Sequence, residues 1–488
     1  MESATGWSTE DFRRQGTLVL EALARFVEES TRGKAPVADL QSVGTFIRSL
    51  GVESLMAHGM AGDDDLEAFL QAFLDGATRL HHPAYLAHQI ALPHYASALA
   101  DLISGILNNG MSVYEMGPTA GALEVAVIDW MLEKAGWEPT GRNRGNSPSP
   151  GSLAGGGVLT HGGSMANLTA LLAARAASAP KAWQEGSRGE LVVVAPGTAH
   201  YSLSRATAVM GMGTDALVEA PSDSLGRLVP GELPAALRTM ADSGKTVMAV
   251  CANACATATG LYDPLEEVGA VCREEGVWLH VDGAHGASAL LHPEERRRLA
   301  GVSMADSLTW DAHKLLQTSA LCAAILFRDG RRLMDTFQQD AAYVTEGARE
   351  TGHDFIGHQL ECTKSPLGLK LFLVLAMAGE EGLASNVGAL SAKTRRFHDQ
   401  IAARPGFQVL CPPESNILCF RRLGDDALQT RIRQQLMREG SVLLSQADVA
   451  GRRWLRMTVM NPLTDDATVQ SILDRIETLA RGAGRPPA

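Results

Sequence analysis

From residue 157 onward, short apolar runs alternate with helical stretches, and this alternation restricts the fold more than any other feature of the chain. The runs 157–160, 191–195, 247–253, 277–281, 307–310 and 323–327 read as strands, being short and almost continuously apolar. Between several of them lie helical stretches at 166–177, 233–241 and 265–275. Strands joined through helices pair in parallel, and a parallel sheet is covered on both faces. The expectation is an α/β domain with a large, mainly parallel sheet. Ligands of such a sheet bind beyond the C-terminal ends of its strands.

The remainder of the chain divides around that unit. Ser8-Thr9-Glu10-Asp11 resembles a helix start, and Leu20, Leu23, Phe26 and Val27 give the segment that follows a broad apolar face. A second helical stretch follows Pro36, and a third starts near Asp63, with Leu66, Phe69, Leu70 and Phe73 at helical spacing. Three amphipathic helices without strands need something to pack against, either the body of the protein or a second copy. Residues 138–156, rich in Pro, Gly, Ser and Asn, read as an exposed loop. After Pro366 a helix over 367–377 leads into a second α/β unit, with strands at 407–410, 415–421, 441–444 and 453–460 and helices at 425–439 and 466–481. The expected organisation is a helical segment over 1–90, a large domain over 91–366 and a small C-terminal α/β domain over 367–488.

Composition narrows the function classes. A net charge of −12 argues against a nucleic-acid surface, and no run approaches the ~18 apolar residues of a membrane span. The acid in Met1-Glu-Ser-Ala-Thr stands where a signal peptide carries base. The seven cysteines lack zinc spacing and a CxxC pair, so no metal is expected. They read as core thiols in a reducing cytoplasm.

Chemistry-bearing residues gather where the expected strands end. Thr160-His-Gly-Gly-Ser-Met-Ala-Asn-Leu168 lies between a strand and a helix, so the N–H groups of Gly163 and Ser164 can cradle a phosphate. His200, in Thr198-Ala-His-Tyr-Ser202, follows the next strand and can stack on a flat ring or pass a proton. Asn253-Ala-Cys-Ala-Thr257 ends a third strand in small residues. Asp282 ends the fourth, and His313-Lys314 follow the fifth. A lysine can hold an aldehyde as a Schiff base while a carboxylate pairs with a protonated ring nitrogen. Together these residues describe a pocket for pyridoxal 5′-phosphate.

The ordered motifs Gly-Gly-Ser-x-Ala-Asn-Leu, Ala-His-x-Ser, His-Val-Asp-x-Ala and Asp-Ala-His-Lys make the chain similar to the group II pyridoxal-phosphate decarboxylases. His82-Pro-x-Tyr, Asn109-x-x-x-x-Tyr-Glu-x-x-Pro and Leu455-Arg-Met-Thr-Val-Met-Asn-Pro extend the likeness from about His82 to Thr468. That resemblance implies the fold-type I, aspartate-aminotransferase-like architecture and a homodimer with its active site at the subunit interface. By motif, Lys314 would bind the cofactor aldehyde and Asp282 would pair with the pyridine nitrogen. His200 and Ala284 would face the two sides of the ring, with Thr257 near its edge, and Gly163, Ser164 and His313 would hold the phosphate. Tyr343 matches a mobile-loop tyrosine that protonates the substrate carbon. Arg456 matches an arginine that meets a substrate carboxylate, and His88 stands at a substrate-contacting position.

Some positions depart from the resemblance. Met165 stands where many relatives have an acid, Gly283 and His285 replace the commoner Ala and an aromatic, and Asp311 adds a negative charge near the phosphate. The residues 109–118 and 305–310, with Arg456, tilt the expected substrate toward a small acidic amino acid: aspartate, glutamate or cysteine sulfinate. An aromatic or diamino acid decarboxylase, an aldehyde-forming or transaminating relative and a non-catalytic assembly protein are the alternatives.

Overall fold

The computed structural model describes residues 7–140, 153–187, 190–337 and 353–482. Twelve strands are present among them: β1 (Tyr85–Leu86), β2 (Gly156–Thr160), β3 (Leu191–Ala195), β4 (Leu217–Glu219), β5 (Thr246–Asn253), β6 (Trp278–Asp282), β7 (Ser307–Asp311), β8 (Ala323–Phe327), β9 (Phe407–Val409), β10 (Ile417–Arg422), β11 (Leu443–Val449) and β12 (Arg452–Thr458). A seven-stranded sheet runs in the order β2-β8-β7-β6-β5-β3-β4, with only β8 antiparallel to its neighbours. Every residue of β3, β7 and β8 is buried, as a sheet covered on both faces requires. A second, five-stranded sheet has the order β1-β11-β12-β10-β9. The mainly parallel large sheet and the smaller C-terminal unit expected of the sequence are therefore present.

Three features correct the sequence reading. β1 lies in the N-terminal helical segment, where no strand was expected, and pairs in parallel with β11 of the small sheet. Among the described residues the N-terminal region has four helices, Thr9–Thr31, Val43–Ser49, Val52–His58 and Asp63–Asp75, because Gly51 in the left-handed region (φ 62°) splits the second stretch. The helix expected over 367–377 belongs to a run Leu367–Ala402 interrupted at Gly379 (φ 70°). Beside that break, Glu380 accepts from Trp130 Nε1 at 2.9 Å and pairs with Lys134 at 2.6 Å, which fixes the bend against the helix Pro118–Ala135. Most of the expected 138–156 loop lies outside the described residues.

One buried ion pair anchors the strand that feeds the site. Lys364 and Glu124 meet at 2.5 Å with neither side chain exposed. Lys364 also donates to Leu159 O at 2.6 Å, and Leu159 N donates to the same Glu124 oxygen at 2.9 Å. The pair thus holds β2 one residue short of Thr160, where the chain enters its glycine turn. No described helix is long and apolar enough to cross a membrane.

Candidate active site

The C-terminal ends of β3, β5, β6 and β7 open onto one cavity of about 230 Å³, and the turn after β2 closes its side. Gly163, Ser164, His200, Thr257, Asp282, Ala284, His313 and Lys314 all line it, so eight residues separated by up to 151 positions meet in one place. His88 and Arg456 do not line this cavity, and Tyr343 lies outside the described residues.

At one end the helix Gly163–Ser178 begins immediately after Gly162, whose φ of 106° favours glycine. A Cβ on Gly163 would lie 2.9 Å from both carboxylate oxygens of Asp311, so only glycine lets the helix start pass this close to the end of β7. The first N–H groups of a helix have no intrahelical acceptor and carry its positive dipole end, so they suit an anion. His313 stands beside this turn, its Nδ1 2.8 Å from Cys322 O. Asp311, 2% exposed, places Oδ2 3.2 Å from Lys314 Nζ and 3.6 Å from His313 Nε2, while its Oδ1 has no hydrogen-bond partner among the described residues.

At the other end Asp282 is held by two donors: Asn167 Nδ2 reaches Oδ2 at 2.8 Å and Ala284 N reaches Oδ1 at 3.2 Å. His200 rises beside it, Nδ1 2.8 Å from Ser202 Oγ, against the Tyr201 ring at 4.2 Å between centroids. Burial lowers the His200 pKa, Lys314 and Arg205 lower it further, and Asp282 and Asp311 oppose them. His285, also in the wall, sets Nε2 2.6 Å from Asn416 Oδ1. Burial, with Lys314 and Arg456, pushes its pKa down to about 3. Arg456 lies behind this wall on β12, donating from Nη1 to Ser445 Oγ at 2.9 Å and Ala87 O at 3.3 Å.

The cavity offers a primary amine, a buried carboxylate at a strand end, an imidazole and a glycine cradle whose added Cβ would close the anion end. That donor set fits pyridoxal phosphate: an amine for its aldehyde, an acid for its ring nitrogen, a helix start for its phosphate. Sequence reasoning found those groups but missed four others. Asn167 was seen only as a motif letter, although its position one helical turn past Gly163 brings it under Asp282. Cys255 and His161 also line the cavity, His161 holding Glu361 at 2.7 Å and Ser365 at 3.1 Å. Asn416 comes from the other sheet and carries no local signal.

Comparison with known proteins agrees. Over 447 residues the chain is 28% identical to acidic amino acid decarboxylase GADL1 of Mus musculus, covering 86% of this chain and 77% of the relative. It is 28% identical to the cysteine sulfinic acid decarboxylase of the same organism, covering 78% of each. Its fold matches the crystal structure of Oryza sativa TDC with PLP and tryptamine at a TM-score of 0.87 and 24% identity, over 98% of this chain and 99% of that one. The model of the family described as pyridoxal-dependent decarboxylase conserved domain matches residues 63–423. With that match over most of its length, the chain belongs to the pyridoxal-dependent decarboxylases and is a pyridoxal-phosphate-dependent amino acid decarboxylase.

Proposed function

We propose that this decarboxylase acts on a small acidic L-amino acid (aspartate, glutamate or cysteine sulfinate), releasing carbon dioxide and the corresponding amine. The observation that carries the acidic preference is Arg456. Its guanidinium is buried, and among the described residues Nε and Nη2 have no hydrogen-bond partner. A cation so far from water costs several kcal/mol unless an anion meets it. Cys255, in the cavity wall, feels the charges of both Lys314 and Arg456, which puts the guanidinium within electrostatic reach of the cavity. The named activity of the GADL1 relative supports the same class.

The residues divide the work as follows. Lys314 would hold the aldehyde of pyridoxal phosphate through its amine. Bound pyridoxal phosphate supplies an electron sink next to the bond that breaks. Asp282, fixed by two donors, holds the proton on the pyridine nitrogen, and a charge-assisted pair in a partly dry site is strong enough to do so. His200 and Ala284 keep the ring plane from opposite sides, Thr257 meets its edge, and Gly163, Ser164 and His313 hold the phosphate. Tyr343 returns the proton to the substrate carbon. His88 follows Ala87, whose carbonyl supports Arg456, and meets the substrate from that side.

The working unit in this reading is a homodimer. The helix Tyr95–Leu107 leaves Leu99, Leu102, Ile103, Ile106 and Leu107 exposed, and Leu20 and Leu23 on the first helix are exposed as well. A row of this kind on one helix marks an interface rather than a solvated face. Light scattering that finds an active monomer would refute it. The substrate class is tested by a panel of L-amino acids assayed for carbon dioxide release. Turnover of the acidic members alone is expected. Preference for aromatic or diamino acids would overturn the assignment, and release of ammonia or peroxide would identify an aldehyde-forming enzyme instead.

A further inference from the structure

Behind Asp282 a run of buried polar side chains crosses two strands and two helices. The indole N–H of Trp278 donates to Ser307 Oγ at 2.9 Å, and that oxygen lies 2.9 Å from His280 Nδ1. His280 Nε2 lies 3.1 Å from Asn167 Oδ1, which also accepts from Thr309 Oγ1 at 2.7 Å. From its other atom, Asn167 Nδ2 donates both to Asp282 Oδ2 at 2.8 Å and to Ser202 Oγ at 2.9 Å. Ser202 then meets His200 Nδ1 twice, through Oγ at 2.8 Å and through its backbone N–H at 3.3 Å. His280, Asn167, Ser202, Ser307 and Thr309 are all essentially closed to water.

The donor and acceptor rules leave one arrangement of protons. A carboxylate oxygen only accepts, so Asn167 turns its amide nitrogen to Asp282 and its amide oxygen to Thr309 and His280. That oxygen also only accepts, so the hydrogen of His280 sits on Nε2. Nδ1 of the neutral ring must then accept from the Ser307 hydroxyl, whose oxygen is already taken by the Trp278 donor. Burial keeps the ring neutral, pushing its pKa down to about 4 against the opposing pull of Asp282. At the far end, Ser202 Oγ receives the Asn167 hydrogen and so donates its own to His200 Nδ1, as the Ser202 backbone does. His200 therefore carries its hydrogen on Nε2.

We propose that Asn167 and His280 are positioning residues that order the protons of the site, binding Asp282 and His200 into one hydrogen-bonded unit. In this unit the orientation of the carboxylate and the tautomer of the ring-facing histidine are set together. His200 offers a donor rather than an acceptor to whatever lies over the cavity, whichever amino acid is the substrate. Networks closed at every member hold geometry better than isolated pairs, and breaking one link loosens both ends.

The test reads tautomers directly. In holoenzyme labelled with ¹⁵N-histidine and assigned with single His→Gln variants, His280 and His200 should both show the neutral Nε2–H pattern near pH 7.5. An Nδ1–H ring at either position in the parent enzyme overturns the assignment. His280→Leu should then shift the His200 nitrogen signals and raise the rate of cofactor release on dilution by about tenfold, the scale of one buried hydrogen bond. His280→Gln, which restores an N–H toward Asn167, should recover most of the loss. Ser202→Ala, removing one hydroxyl, should let His200 populate the Nδ1–H form. Unchanged His200 signals and release rates in both His280→Leu and Ser202→Ala would show that the two ends are independent.

Discussion

His285 makes the stability of this protein depend on acid in a way that one substitution can isolate. Its ring is buried and its pKa pushed from the ordinary 6.5 down to about 3, so the folded state resists a proton that the unfolded chain accepts readily. A group with a depressed folded value contributes fully above 6.5 and loses that contribution as pH falls through the window toward 3. Between pH 7.5 and 5 the loss is about 2 kcal/mol by proton linkage. His285→Phe keeps a ring in the wall but cannot titrate. Loss of the bond to Asn416 should lower stability by about 1–3 kcal/mol at every pH, a vertical offset. The slope is the test. Urea unfolding of the cofactor-free protein, followed by tryptophan fluorescence at pH 7.5, 6 and 5, should show the parent losing about 2 kcal/mol more than the variant across that range. Parallel profiles would mean that His285 is already protonated in the folded protein, or reaches water.

Borohydride reduction of the holoprotein should place the cofactor on Lys314, while Lys314→Arg should fold with its ion pair to Asp311 kept and trap nothing; a peptide map with the adduct elsewhere refutes the role. Asp311→Asn removes a buried negative charge beside the glycine turn, so cofactor release on dilution should slow by about fivefold, and faster release would show that Asp311 holds the lysine more than it repels the phosphate. Lys364→Met strands the Glu124 carboxylate in the core and should cost about 3–5 kcal/mol, read as a fall in melting temperature. Adding Glu124→Gln should recover part of that cost, and an additive double variant would refute the pairing.

The large sheet and most of the cavity were legible in the sequence because one physical rule serves both. Strands buried on two faces are continuously apolar, and the residues that end them are set beyond the sheet edge by covalent connection alone. Asp282, His313 and Lys314 could be placed that way, and so could the Gly163 turn. Partners that arrive across the fold could not. Asn416 reaches His285 from the second sheet, 131 residues away, and no local pattern marks the approach. The two-residue β1 was hidden because His82-Pro-Ala-Tyr-Leu is too short to show a period; its pairing with Leu443 and Leu444 is decided wholly by tertiary packing. The helix read over 367–377 stopped short because no local pattern shows the chain resuming helix beyond Gly379, where the bend is held by Glu380 reaching Trp130 and Lys134. His88 was grouped with the substrate contacts by motif, yet in the single chain it is exposed and outside the cavity.

The pairing of β1 with β11 also sets the order in which the chain can assemble as it is synthesised. All strands of the seven-stranded sheet lie between Gly156 and Phe327, so that sheet can close while the last third of the chain is still unmade. The five-stranded sheet cannot. Its edge waits at Tyr85 and Leu86 for Leu443 and Leu444, and Ala87 waits for Arg456 and Thr458. During that interval the early edge strand has neither partner nor cover, and contacts spanning such separations are the slow ones in folding. Arg456 is therefore among the last groups to be seated: a nascent chain acquires the cavity before the arginine proposed to read its substrate.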